Sequence, residues 1–350
     1  ETAMHSMHLP RGLTRRRMAM ALPLLGSAAW LPSAMATTDA TVERSTRSLM
    51  GTQVDIVAHG AHQPTLQTAV AQAWQEMARL ASLMTRYSPD SIVSRINRAA
   101  GVHAVNVPPE VMPVLLAGQK LAVQTQGAFD ITVGSLKAWH FGEGQTSLPL
   151  PQEIEAQRRL VGYRNLVLDE RASTAYLRQP GMALDLGGVA KLPILEAGMK
   201  TLQRHGVEHA LINGGGDVLI AGQLHGRAWR VGLRDPHAPE RMLGMLELQG
   251  QAIVASSGDY ERFFMAQGER QHHILNPATG RPTHGPRGVS LLARDAASVN
   301  GLGTAIMVMG SAGAATLLQH RPEVQAALVA ERDHSVWQTP GMAALLRPVA

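Results

Sequence analysis

The chain has 350 residues, 45% of them hydrophobic, enough to bury the core of one large domain or two smaller ones. It has no cysteine, which excludes disulfides, thiolate-held zinc, iron–sulfur clusters, a cysteine nucleophile and an acylated lipoprotein anchor. Most of the net charge of +5 sits at the front, where Arg11, Arg15, Arg16 and Arg17 stand against Glu1; no basic run interleaved with aromatics follows, so nucleic acid is not an expected partner.

In chain order, residues 1–6 (ETAMHS) read as a cloning remnant before Met7. Thr14-Arg15-Arg16-Arg17-Met18 then precedes the apolar stretch AMALPLLGSAAWL, which ends in Ala34-Met35-Ala36. This is the n-region, h-region and cleavage site of an export signal over residues 1–36. Paired arginines predict twin-arginine export, with an ordinary Sec signal as the alternative, and either route predicts a periplasmic, soluble product. The apolar run is too short and interrupted for a stable membrane anchor.

After a polar stretch, Leu49–Val57 alternates as a strand and residues 66–86 carry an apolar face of Val70, Trp74, Met77 and Met84, which predicts a helix. A second helix is expected near 109–126, ended by Gly127, with a β-branched, strand-like run after it. Residues 143–159 predict a loop and short helix. Strands are expected at 166–169, 175–177 and 183–186, a helix over about 193–205, and strands at 209–212, 218–221, 229–233, 241–248 and 252–256. A hairpin at 263–274, a helix over 298–309 and a strand at 326–329 complete the pattern. Strands and helices mix without strict alternation, so the fold class is α+β.

Several stretches carry chemistry. In LDLGGVAK (184–191), Gly187 and Gly188 let backbone amides approach an anion at a helix start, and Lys191 can pair with a phosphate; a plain strand–turn–helix is the alternative. In INGGGDV (212–218), three glycines mark a tight turn with Asn213 and Asp217 fixing it, or a close backbone approach. His272 and His273 in a strand point to opposite faces, so one is expected to be exposed and one satisfied in the core. Asn276–Gly280 reads as a turn. Asn300 and Thr304, four apart, fall on one helix face, where their oxygens suit a hard cation such as Mg²⁺ or simple capping and packing.

Taken in order, MGTQVDI (50–56), TRYSPDS (85–91), GAFDITVG (127–134), LDLGGVAK, INGGGDV, SSGDYERFF (256–264), HHILNPATG (272–280) and VNGLGTA (299–305) resemble the ApbE family of FAD:protein FMN transferases, over roughly residues 46–335. The resemblance implies an ApbE-like, T-fold-like α+β architecture with an FAD cleft, in a single domain spanning 37–350. It also implies a reaction. FAD binds with Mg²⁺ on its pyrophosphate, a Ser or Thr hydroxyl of a partner flavoprotein attacks the phosphorus on the FMN side, and AMP leaves.

By the same resemblance, Met50, Tyr87, Ala128, Phe129, Asp130, Asp185, Lys191 and Ile274 match cofactor-binding positions. His273 is the candidate for proton transfer, and Gly188 (through its carbonyl), Asn300, Gly303 and Thr304 match metal positions. The family's Lys-Gly-Tyr is Lys191-Leu192-Pro193 here, and two of its aspartates are Asn276 and Asn300, which lowers the expected attraction for Mg²⁺. The leader and this altered pocket resemble the exported NosX-type branch, which implies a membrane-bound flavoprotein of nitrous oxide respiration as acceptor. A non-catalytic periplasmic flavin-binding protein and an FAD pyrophosphatase are the alternative readings.

Overall fold

The computed structural model describes residues 41–349 apart from 143 and 146. The predicted export signal and cloning remnant lie outside the described residues. The chain opens with β1 (Thr41–Leu49), β2 (Thr52–Gly60), α1 (Gln63–Met84), α2 (Ile92–Arg98), β3 (Val105–Asn106) and α3 (Met112–Gln124). Then come α4 (Pro151–Arg158), β4 (Leu166–Asp169), β5 (Thr174–Leu177), α5 (Lys191–Arg204), β6 (His209–Gly214), β7 (Asp217–Ala221), β8 (Trp229–Arg234) and β9 (Met242–Leu248). The last third holds β10 (Ala252–Gly258), β11 (Phe263–Ala266), β12 (Glu269–His272), β13 (Leu275–Asn276), β14 (Arg281–Pro282), β15 (Gly288–Ala293), α6 (Leu302–Leu318), β16 (Val324–Ala330), β17 (Val336–Gln338) and α7 (Pro340–Leu345).

Eight strands form one sheet in the order β1-β2-β6-β7-β10-β15-β16-β17, and every neighbouring pair is antiparallel. Period-two alternation sends successive residues to opposite faces. Leu219, Ile253 and Leu291 go to the face packed by α1, α5 and α6; Ile220, Val254 and Leu292 go to the other, packed by the β8–β9 hairpin and Met342 of α7. On α1 the buried stripe is Leu66, Ala69, Val70, Ala73, Trp74, Met77, Leu80 and Met84, the helical spacing that the sequence shows. The architecture is α+β. No helix among the described residues is long and apolar enough to cross a membrane.

Four sequence expectations are corrected. The polar stretch before Leu49 is β1, an edge strand paired with β2 from Thr41 onward; its exposure hides it from hydrophobic patterning. The strand-like run after Gly127 is a short 3₁₀ turn, Ile131–Ser135, because Asp130 caps it by accepting from the Thr132 amide at 2.8 Å. Residues 183–186 are extended but join no ladder. Their backbone groups go instead to side chains and one carbonyl: Ala183 N to Ser135 Oγ, Leu184 N to Asn97 Oδ1, Asp185 N to Ile131 O. The late helix begins at Leu302 rather than 298 and runs to Leu318 across a kink at Gly310, so Asn300 precedes the helix and does not share a face of it with Thr304.

Asn97 clamps the segment that leads into the glycine turn. Its Oδ1 accepts from Leu184 N at 2.7 Å and its Nδ2 donates to Leu184 O at 3.1 Å. Asn97→Ala leaves two buried backbone groups unpaired, and urea unfolding is expected to show a loss of about 2–4 kcal/mol. An unchanged midpoint would mean that water replaces the amide.

Candidate functional site

A cleft of about 740 Å³ opens along the edge where strand ends and helix starts meet. Two tight turns form one wall. Met50 and Gly51 (φ 54° and 72°) link β1 to β2, and Gly215 and Gly216 (φ 60° and 94°) link β6 to β7. Gly215 is required, since a Cβ there would stand 2.4 Å from Thr52 Oγ1. Tyr87, 75% exposed, stands on the loop after α1, next to Arg86.

The turn 185–190 and the starts of α5 and α6 form the centre. Asp185 makes a local cap, accepting from Gly187 N at 2.8 Å, and lies 3.4 Å from Arg86 Nε. Gly188 lies so close to Phe129 that a Cβ would come within 2.9 Å of the ring, and that same position is 3.6 Å from Thr304 Oγ1. Asn300 donates from Nδ2 to Val189 O at 2.8 Å. Its Oδ1 is left as an acceptor. Two helix N-termini thus face one cavity, with Lys191, Leu192 and Ile194 from α5 and Gly303 and Thr304 from α6, and their unpaired amides favour negative charge.

Lys191 does not stand free. Its Nζ lies 2.7 Å from Asp217 Oδ2, and Asp217, nearly fully buried, also accepts from Ser256 N at 2.8 Å. Glu261 lines the cleft nearby, and burial raises its pKa against the pull of Lys191. Asp130 is buried and spends both oxygens inside the protein, Oδ1 on the Thr132 amide and hydroxyl and Oδ2 on Tyr163 N at 2.7 Å. Burial lifts its pKa against those three donors.

His272 and His273 divide as the strand geometry requires. His272 is buried and its Nε2 donates to Thr283 O at 2.9 Å. His273 follows the end of β12 and lines the cleft, with Nδ1 3.2 Å from Arg262 O. With Nδ1–H donating there, Nε2 keeps its lone pair. Burial, reinforced by the Arg262 charge, lowers the His273 pKa to about 3, so the imidazole is neutral at physiological pH.

Every residue that the resemblance matches to a cofactor, metal or proton-transfer position lines this one cleft: Met50, Tyr87, Ala128, Phe129, Asp130, Asp185, Gly188, Lys191, His273, Ile274, Asn300, Gly303 and Thr304. Asn276 does not line it. Its Oδ1 accepts from Ala278 N at 2.9 Å in the β13–β14 turn, a task that an aspartate would do equally. Sequence reasoning missed Arg86, Ser257, Glu261 and Arg262 as cleft residues, and it saw Asp217 only as a turn residue. The signal for Asp217 is an acid opening an otherwise apolar strand.

Among the described residues, no group of three or more His, Asp or Glu side chains is arranged to hold a metal. The oxygens near Gly188, Asn300 and Thr304 are neutral carbonyl and hydroxyl groups. Such donors suit a hard cation only where a bound phosphate supplies the negative charge.

The chain matches the ApbE family over residues 50–328. It is 31% identical to a FAD:protein FMN transferase of Klebsiella pneumoniae (strain 342) over 277 residues, 78% of this chain and 86% of that one. Among solved structures it is similar to an ApbE protein of Thermotoga maritima (28% identity, TM-score 0.79, covering 88% of this chain and 100% of that one). It is also similar to the flavin transferase ApbE of Vibrio cholerae (26% identity, TM-score 0.75, with 88% and 100% covered). With a family match over most of its length and the fold of these solved structures, the chain belongs to the ApbE family.

Proposed function

We propose that this protein is a FAD:protein FMN transferase, moving FMN from FAD to a Ser or Thr hydroxyl of a flavoprotein and releasing AMP. The observation that carries this reading is the convergence of two helix N-termini and a neutral, buried-edge histidine on one cleft. The pyrophosphate of FAD would lie at those N-termini, where backbone amides stabilise the charge that grows on its oxygens. Trp139 and Phe141, stacked at 5.9 Å in the cleft wall, offer a flat apolar surface to a ring system.

In this reading, His273 Nε2 takes the proton of the acceptor hydroxyl as its oxygen attacks the FMN-side phosphorus, and Arg262 O holds the ring through Nδ1–H. The P–O bond to the AMP phosphate breaks, and FMN stays on the acceptor as a phosphoester. Lys191, held by Asp217, contributes positive charge at the α5 start without drifting into solvent. Mg²⁺ would be held by Gly188 O, Asn300 Oδ1 and Thr304 Oγ1, with Gly303 alongside, and would supply charge neutralisation at the pyrophosphate. The arginine run and apolar leader support export, by the twin-arginine route, to a periplasmic or membrane-bound acceptor. An acceptor in nitrous oxide respiration is the finer form of that reading.

Incubation with FAD, Mg²⁺ and an acceptor flavoprotein domain is expected to add one FMN mass to the acceptor and release AMP in equal amount. AMP without an adduct would make the protein a pyrophosphatase. Bound FAD with neither product would make it a flavin-binding protein.

His273→Ala is expected to abolish transfer, by 10²-fold or more, while FAD still binds. Since burial lowers the His273 pKa, the neutral base persists well below the usual histidine range. The rate in the wild-type protein is therefore expected to show no inflection near pH 6.5, and a clear one there would remove His273 from this role.

Asn300→Asp replaces a donor to Val189 O with a carboxylate facing that carbonyl. Without Mg²⁺ the variant is expected to lose about 1–3 kcal/mol of stability, and added Mg²⁺ to restore it at lower concentrations than affect the wild type. Thermal unfolding across a Mg²⁺ series reads both effects.

A further inference from the structure

A second cavity, about 220 Å³ and sharing no lining residue with the cleft, opens where β12 meets the loops before β15 and after β16. Arg270, Arg287 and Arg332 converge on it from these three segments, with Glu269 and His284 beside them. Holding three half-buried guanidiniums together is costly unless each is matched by negative charge.

The protein supplies only part of that match. Asp259, fully buried, gives Oδ1 to Arg270 Nη1 at 2.6 Å and Oδ2 to Arg287 Nη1 at 2.8 Å, so both of its oxygens are taken. Arg332 reaches no carboxylate. Its Nε donates to His284 O at 3.2 Å and an Nη to Thr283 O at 3.4 Å, both long contacts to neutral carbonyls. Burial and the charge of Arg287 hold its pKa below the ordinary arginine value. Glu269 stands exposed at the rim. The Nε of Arg287 is the sharpest feature, a charged donor that is buried and has no hydrogen-bond partner. Buried guanidinium donors are nearly always satisfied, so this orphan adds to the uncompensated positive charge of the cluster that lines the cavity.

We propose that this cavity binds a phosphate group, free or carried on a small ester. Guanidinium forks arriving from three separate segments suit an anion whose oxygens point in several directions, and the volume far exceeds the ~10–15 Å³ that holds one water. A phosphate here would give Arg332 the anionic partner that it lacks and add negative charge beside Arg270 and Arg287. The Arg332 carbonyl partner Thr283 O is the same atom that anchors His272, the residue before His273, so the occupied cavity adjoins the support of the cleft's histidine.

The test follows the side-chain Nε–H resonances of arginine-labelled protein during titration with inorganic phosphate and, separately, with AMP. The Arg287 Nε–H signal is expected to shift saturably. Arg332→Gln, which gives up only two carbonyl contacts, is expected to weaken that response about tenfold or more. Arg332→Lys, which keeps the charge and loses the fork, is expected to fall in between, and it carries the test should the glutamine variant not fold. Lys191→Ala, in the cleft, is expected to leave the response intact. Tighter binding of AMP would assign the site to a phosphate ester, and equal or weaker binding to free phosphate. No saturable shift, a shift indifferent to Arg332, or one abolished by Lys191→Ala would overturn the proposal.

Discussion

One hydrogen bond, from Asn300 Nδ2 to Val189 O, joins segments 111 residues apart and sets the distance between the two helix starts at the cleft. On one side of it the turn 185–190 leads into α5; on the other Gly301, at φ 73°, turns the chain into α6. Gly188 lies against Phe129 and near Thr304 in the same contact, and no side chain fits between them. Two helix dipoles face one cavity because these packed glycines let the backbones come that close.

The electrostatics follow from that arrangement. A cavity bounded by amide-rich helix starts favours anions, and of the cationic side chains Arg86, Lys191 and Arg262 on its wall only Arg262 forms no ion pair among the described residues. Lys191 is tied to buried Asp217, and Arg86 lies beside Asp185. His273 is kept neutral by its surroundings, so it brings an imidazole lone pair rather than a positive charge to the cleft. Asp130, which a sequence reader would assign to a ligand, directs its carboxylate inward to two amides and a hydroxyl and so shapes the loop that carries Phe129.

Much of the fold was legible where one physical signal dominates. The α1 stripe follows helical spacing, the β6–β7 hairpin is marked by its glycines, and β8 alternates clearly. Legibility failed where the signal was absent or shared. β15 (GVSLLA) is buried on both faces, so it shows no alternation, and β1 is an edge strand with a largely polar sequence. Residues 183–186 have strand composition, but Asn97 and Ser135 supply their hydrogen bonds from elsewhere in the chain.

The site divides in the same way. Local chemistry was readable: glycine turns, the lysine at a helix start, adjacent histidines sent to opposite sides by strand geometry. The order of the motifs along the chain already pointed to the family. Only the tertiary structure decided what each group is free to do, because that depends on partners distant in sequence. It bound Lys191 to Asp217 across the sheet edge and left Arg287 Nε without an acceptor. Residue type sets what a side chain can donate, accept or titrate; burial and long-range neighbours decide which of those capacities remains available.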